Sequence, residues 1–252
     1  MTDTDTLFAN PITHRGLHDV KRGLIENCEG AFAAAIDAGF AIECDVQLSS
    51  DNQVVVFHDY TLDRLMNTKG EVHQLTVAEL KKAAFKDGKD KIQTLQELLE
   101  QVAGKVPLII EMKSRWQGSE GLALRVAETI ATYTGPVATM SFDPVLVTAT
   151  QRWLPYMPNG IVSGHLKNIE HWKFLSRFER YKLTRMLHWR KSRPDFISYN
   201  IDDLPSRAVS LMENLMSVPV ICWTVRTHEQ ATKAAKFCEQ ITFEGFDPRS
   251  AP

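Results

Sequence analysis

Eight short apolar runs recur along this chain, each bounded by turn residues, and most are separated from the next by a helical pattern. No other feature restricts its fold so tightly. The runs are Pro11–His14, Ala41–Val46, Leu108–Lys113, Val137–Phe142, Gly160–Ser163, Phe196–Ile201, Val218–Val225 and Gln240–Gly245. Strands buried on both faces read as such continuous runs, as in parallel sheets covered by helices. Helical periodicity fills Asn27–Ala38, Leu95–Val102, Glu120–Thr132, Pro144–Leu154, Ser206–Met216 and Thr227–Phe237. Eight β/α alternations predict the α/β class and a (β/α)8 TIM barrel. A doubly wound open sheet is the alternative, but no glycine-rich nucleotide fingerprint follows the first run.

Residues 46–104 are too long for one barrel connection. They are expected to form a small insertion after the second barrel strand, with 1–45 and 105–252 forming the barrel. A further β-like run, Val54–His58, lies inside the insertion. The turn Ser49-Ser50-Asp51-Asn52 predicts a hairpin between Ala41–Val46 and Val54–His58. A two- or four-residue loop there sets Asp45 opposite His58, and a slip of one residue turns His58 to the other face.

On the second strand Glu43 and Asp45 share one face and Cys44 takes the other. Two buried carboxylates side by side repel unless a cation lies between them, which points to a metal. Active sites of such barrels lie at the C-terminal strand ends. Those ends supply His14-Arg15-Gly16, Glu111-Met112-Lys113, Ser141-Phe142-Asp143, Asn200 and Trp223-Thr224. Glu43, Asp45 and Glu111 form an all-oxygen donor set suited to Mg²⁺ or Ca²⁺. Arg15 and Lys113 suit an anionic, phosphate-bearing ligand, and His14 and His58 suit general acid and base work. His18-Asp19 repeats the His-Asp pair but is expected to be solvated, and Asp59 is expected to orient His58 or cap a turn.

With 29 basic and 31 acidic residues the net charge is −2, so no overall pull toward nucleic acid is implied. The acidic, polar N-terminus does not read as a signal peptide, and no run approaches a transmembrane length. Cys28, Cys44, Cys222 and Cys238 lack metal-type spacing and read as small buried hydrophobes in a reducing compartment, the cytoplasm.

Taken in order, His14-Arg15-Gly16, Glu26-Asn27, Glu43-x-Asp45-Val46, the Asp51 turn, His58-Asp59, Glu111-x-Lys113, Ser141-Phe142 and Trp223-Thr224-Val225 resemble the glycerophosphodiester phosphodiesterases over nearly the whole chain, about 10–250. The resemblance implies a metal-dependent enzyme of lipid and glycerol metabolism in a TIM barrel with a small insertion. It implies Glu43, Asp45 and Glu111 as metal ligands for Mg²⁺ or Ca²⁺, and His14 and His58 as the acid-base pair. Arg15 and Lys113 would contact phosphate, and Trp223 the alcohol side of the pocket. Glu26, Asn27 and Phe142 are supporting residues. Ile25, Cys28 and Gln93 depart from the family's usual residues, and the segment 242–248 matches the family's usual Thr-Asp ending poorly.

The expected substrate is a deacylated phospholipid such as glycerophosphocholine. Lysophospholipase D-like, sphingomyelinase D-like and sugar-phosphodiester chemistry are alternatives at the same site, as is a non-catalytic phosphate-binding barrel. Residues 172–193 interleave cations with aromatic and apolar side chains. They are expected to form an outer barrel helix or an oligomer contact, with peripheral membrane contact the less favoured reading.

Overall fold

A computed structural model describes residues 4–166 and 172–250. Nine strands form in chain order: β1 Ile12–Thr13, β2 Ala41–Leu48, β3 Val54–Val56, β4 Leu108–Met112, β5 Val137–Ser141, β6 Asn159–Ser163, β7 Phe196–Asn200, β8 Val220–Val225 and β9 Gln240–Phe243. The helices are α1 Thr4–Leu7, α2 Glu29–Asp37, α3 Val77–Leu80, α4 Leu95–Val102 and α5 Gly121–Ile130. They continue with α6 Pro144–Trp153, α7 Arg177–Thr184, α8 Trp189–Ser192, α9 Arg207–Met216 and α10 His228–Ala234.

Eight strands pair in parallel in the order β1-β9-β8-β7-β6-β5-β4-β2, and β2 returns to β1, closing the barrel. This is the (β/α)8 TIM barrel expected from the apolar runs. Alternation along β2 sorts its side chains: Ile42, Cys44 and Val46 pack outward with α2, α4 and α5. Ala41 instead joins the interior layer of Ile12, Ile109, Ala138, Met140, Val162, Phe196 and Ile221. Leu7 and Phe8, at the end of α1, plug the same interior. Gly160 is needed where Phe196 packs, because a Cβ there would lie 2.3 Å from the ring.

Only β3 runs antiparallel, against the end of β2. Its register differs from expectation: Val46 faces Val56, and the Phe57 N–H donates to the Asp45 carbonyl at 2.9 Å. Asp45 is therefore not opposite His58. The cause is loop length. Asn52 takes a left-handed φ of 57° and closes a three-residue loop, with Ser49 N bonded to Gln53 O at 3.0 Å. Turn composition alone does not separate this loop from the two- or four-residue one.

Past β3 the chain packs its own small core of Val55, Phe57, Leu62, Met66, Val72, Leu80, Phe85 and Ile92, joined by Ile25 and Cys28 from the barrel side. Helix α4 does not belong to that core. Leu95, Leu98, Leu99 and Val102 pack in the barrel's outer layer. The layer over the mouth thus ends at Thr94, whose side chain caps α4.

Candidate active site

At the C-terminal end of the strands lies a cavity of about 320 Å³. Its lining includes His14, Arg15, Glu43, His58, Glu111, Lys113, Phe142, Trp172 and Trp223. Most of the expected site residues therefore converge on one space. Asp45 sits directly behind, paired in register with Glu111 across β2 and β4. Carboxylate oxygens of Glu43, Asp45 and Glu111 lie within 4.8 Å of one another. Glu26 and Asn27 do not line the cavity but brace it from outside.

The left-handed backbone at Arg15, Gly16 and Asn27 organises this brace. A Cβ at Gly16 would come within 3.0 Å of Ala31 and Phe32, so glycine is required there. Arg15 N donates to Glu43 Oε2 at 2.9 Å, and Asn27 N donates to Arg15 O at 2.9 Å. Asn27 clamps Asp45 twice: its Nδ2 donates to Asp45 Oδ2, and Asp45 N donates to its Oδ1. The Arg15 guanidinium reaches Glu26 at 2.7 Å and Asp45 at 3.2 Å. Lys113 Nζ sits 2.8 Å from Asp45 and 2.6 Å from Glu111.

The two acids of β2 are driven apart electrostatically. Burial raises Glu43 well above the ordinary carboxylate range, and the Asp45 and Glu111 charges add to that. Burial would also raise Asp45, but Lys113, His58 and Arg15 outweigh it and hold Asp45 well below that range. Glu43 Oε1 is buried with no hydrogen-bond partner. An orphaned oxygen beside two further carboxylates fits a divalent cation held by hard oxygen donors.

Each histidine has its own carboxylate. His58 Nδ1 lies 2.6 Å from Asp59, which takes a second bond from Arg64 Nε at 2.6 Å. Arg64 also bonds both oxygens of Glu26, tying the inserted layer to the Arg15 brace. His14 Nδ1 lies 2.5 Å from Glu244, just past β9, and Arg226 Nε donates to the same carboxylate at 2.7 Å. Burial lowers His14 to about 4 despite the Glu244 bond, so the ring is neutral at pH 7.

Three contributors escaped the sequence reading. Glu244 lies in the segment that matches the family poorly, although it is a charge at a barrel-strand end, the same signal that points to Glu111. Gln47 has another role. Its Nε2 donates to the carbonyls of Phe57 and Asp59, both at 2.8 Å, and so holds the bend that follows β3. That bend brings His58 to the cavity despite the slipped register. Arg64 carried no signal.

Other expectations changed as well. His18 is not simply solvated: it is half-buried, with Nε2 3.7 Å from Glu244, because the β1–α2 loop folds back toward β9. Of the other strand ends, Asp143 and Asn200 cap the helical turns that follow them, and Ser141 donates to Met112 O. Trp223 lines the cavity and donates its Nε1 to Ser198 O at 3.1 Å. Asp59 orients a histidine, as expected.

The closed barrel thus carries an acid cluster and two carboxylate-paired histidines at the C-terminal mouth, where barrel enzymes place their active sites. The profile of the glycerophosphoryl diester phosphodiesterase family matches residues 14–245, and the chain belongs to that family. A glycerophosphodiester phosphodiesterase of Caldanaerobacter subterraneus subsp. tengcongensis is 32% identical over 182 residues, 68% of this chain and 73% of the relative. An Oleispira antarctica phosphodiesterase, solved in complex with the product sn-glycerol-3-phosphate, has the same fold. It superposes with a TM-score of 0.75 at 19% identity, over 94% of this chain and 93% of that one. A Silicibacter pomeroyi structure described as a putative glycerophosphoryl diester phosphodiesterase gives a TM-score of 0.77 at 21% identity, over 96% and 93%. Among the described residues, no helix is long and apolar enough to cross a membrane.

Proposed function

We propose that this enzyme hydrolyses glycerophosphodiesters such as glycerophosphocholine to sn-glycerol 3-phosphate and an alcohol, using two histidines and a divalent metal. The observation that carries this reading is the acid cluster flanked, in one cavity, by two histidines that each hold a carboxylate. Glu43, Asp45 and Glu111 would hold Mg²⁺ or Ca²⁺, which when bound supplies positive charge to the phosphate oxygens. Arg15 and Lys113 line the same cavity and add fixed cations for the phosphate. Trp223 and Phe142 offer an apolar wall to the alcohol or glycerol carbons.

His14 is the better base. It is neutral, and its Nδ1–H is committed to Glu244, so Nε2 is free to accept the proton of the attacking hydroxyl. His58 then donates a proton to the oxygen that leaves phosphorus, its ring oriented by Asp59. In this reading the inserted layer serves to carry His58 to the metal. All four cysteines are free, three of them buried and Cys238 half-buried; this favours a reducing compartment, and we place the enzyme in the cytoplasm.

A coupled assay for glycerol 3-phosphate, with and without chelator, tests the proposal on the wild type and on His14→Ala. Activity should vanish with chelator and return with Mg²⁺ or Ca²⁺. Metal-independent turnover, or a fully active His14→Ala, would overturn it. Glycerophosphate-binding without turnover would favour a binding barrel, but such a barrel has no use for two carboxylate-oriented histidines.

A further inference from the structure

The segment after β6 is unlike the rest of the surface. Residues 172–193 carry eight Lys or Arg and one Glu, a net +7 in a chain of net −2, so the remaining residues carry −9. Within this segment Phe174, Phe178, Tyr181 and Leu187 are all exposed, Phe178 at 66%. They are not scattered single residues. On α7, Arg177, Phe178, Tyr181 and Lys182, with Arg185 after its end, follow the spacing of one helix face, and Leu183 is buried against the barrel. Lys182 lies over the Phe178 ring and Arg185 over the Tyr181 ring, so cations and aromatics form one mixed surface. None of Lys173, Arg177, Lys182, Arg185 and Lys191 makes an ion pair among the described residues.

The face also borders the catalytic mouth. Trp172 lines the active cavity and contacts Phe174, with ring centroids 5.9 Å apart, and Trp116 packs on both. Beneath the helix lies a further cavity of about 500 Å³, lined in part by Trp116, Val145, Leu175, Leu183 and Leu187. An exposed aromatic face with a cationic fringe over apolar space matches an interfacial helix at an anionic bilayer.

We propose that the α7 face docks this enzyme on anionic lipid bilayers, with the catalytic mouth beside the membrane surface. Charge complementarity selects this occupant. A second copy meeting the face symmetrically would set +7 against +7, whereas an anionic bilayer neutralises the cations and takes the exposed rings at its interface. The inference goes beyond the catalytic reading and does not depend on turnover.

Sedimentation with phosphatidylcholine vesicles, with and without phosphatidylserine, tests it at low and high salt. The wild type should sediment with the serine-containing vesicles, weakly with phosphatidylcholine alone, and less as salt rises. Arg177→Glu with Arg185→Glu should cut partitioning by at least about 100-fold, and Phe178→Ser with Tyr181→Ser by about tenfold. All four positions are exposed, so thermal melts should match the wild type and confirm folding. Wild type that stays in the supernatant at low salt would overturn the proposal. So would variants that sediment like wild type, or tight binding of single-stranded RNA in the absence of vesicle binding.

Discussion

The two histidines reach one cavity by different routes. His14 extends from β1, is bonded through its backbone N to Phe243 O at 2.9 Å, and meets Glu244 from the neighbouring strand end. Both partners are therefore placed by the barrel wall. His58 follows a strand that has already ended, in a bend held by Gln47, and its carboxylate is the next residue in the chain. Its support comes from side chains, with Arg64 linking Asp59 to Glu26. One arm is fixed by sheet closure and the other by a small polar scaffold. The barrel arm should tolerate changes around it better and respond more sharply to loss of the one carboxylate that its more deeply buried histidine holds.

The most severe break is removal of either ring. His14→Ala and His58→Ala should each lower kcat by roughly 10²- to 10⁴-fold, the usual range for general acid-base groups. If the two act as one proton-transfer unit, the double variant should be little worse than the weaker single one. Steady-state kinetics at saturating metal measure this, and a double variant showing the full product of both losses would mean that they act independently.

The carboxylates separate the arms more finely. Glu244→Gln should lower kcat about 100-fold and Asp59→Asn about tenfold, by analogy with groups that orient catalytic or metal-bound histidines. The expected difference follows from the burial of the rings: the His14 side chain is 14% exposed and that of His58 22%. The Glu244 bond raises the His14 pKa against burial, so its removal should shift the acid limb of kcat/KM to lower pH. Equal losses in both variants, with unmoved profiles, would erase the proposed asymmetry.

The barrel arm was more legible in sequence than the inserted one. Buried parallel strands announce themselves as unbroken apolar runs, and Leu108–Met112 or Val137–Ser141 stand where their runs predicted. Strict alternation placed Glu43 and Asp45 together and turned Cys44 outward. The His58 arm depends on a one-residue difference in loop length, which Asn52 permits and composition does not reveal. The expected pairing of Asp45 with His58 does not occur, and the bend held by Gln47 is what carries His58 to the cavity. Arg64 and Glu26 meet from 38 residues apart, through side chains with no periodic pattern to betray them. Glu244 obeys the strand-end rule, but it stands in a segment that departs from the family's usual ending.

Stability offers a contrast that does not depend on catalysis. Burial lowers His14 from 6.5 to about 4, so between these values the unfolded chain binds a proton that the folded chain does not. Stability therefore rises with pH across this window: the contribution is fully present above about 6.5 and is lost as pH falls toward 4. His188 is lowered to about 4 by burial alone and acts in the same direction. Urea unfolding at pH 7 and pH 5 should show His14→Gln losing about 1–2 kcal/mol less than wild type over that interval. An unchanged slope would mean that the His14 ring is not held neutral in the fold.

The smallest effect tests the scaffold itself. Arg64 is 46% exposed, yet it is the link that joins the His58 carboxylate to the Arg15 brace. Exposed ion pairs contribute little to stability, typically about 0–1 kcal/mol, so Arg64→Ala should melt close to wild type. Its cost should appear in kcat as a loss of about two- to fivefold, because Asp59 keeps its bond to His58 but loses the group that fixes its second oxygen. KM for glycerophosphocholine should hold, since Arg64 does not line the cavity. Arg64→Lys should recover little, as an ammonium does not span Glu26 and Asp59 with the guanidinium's fork. A loss in kcat confined to this arm, absent when Arg226 opposite Glu244 is changed to Ala, would show that the inserted layer relies on side-chain links where the barrel relies on its sheet.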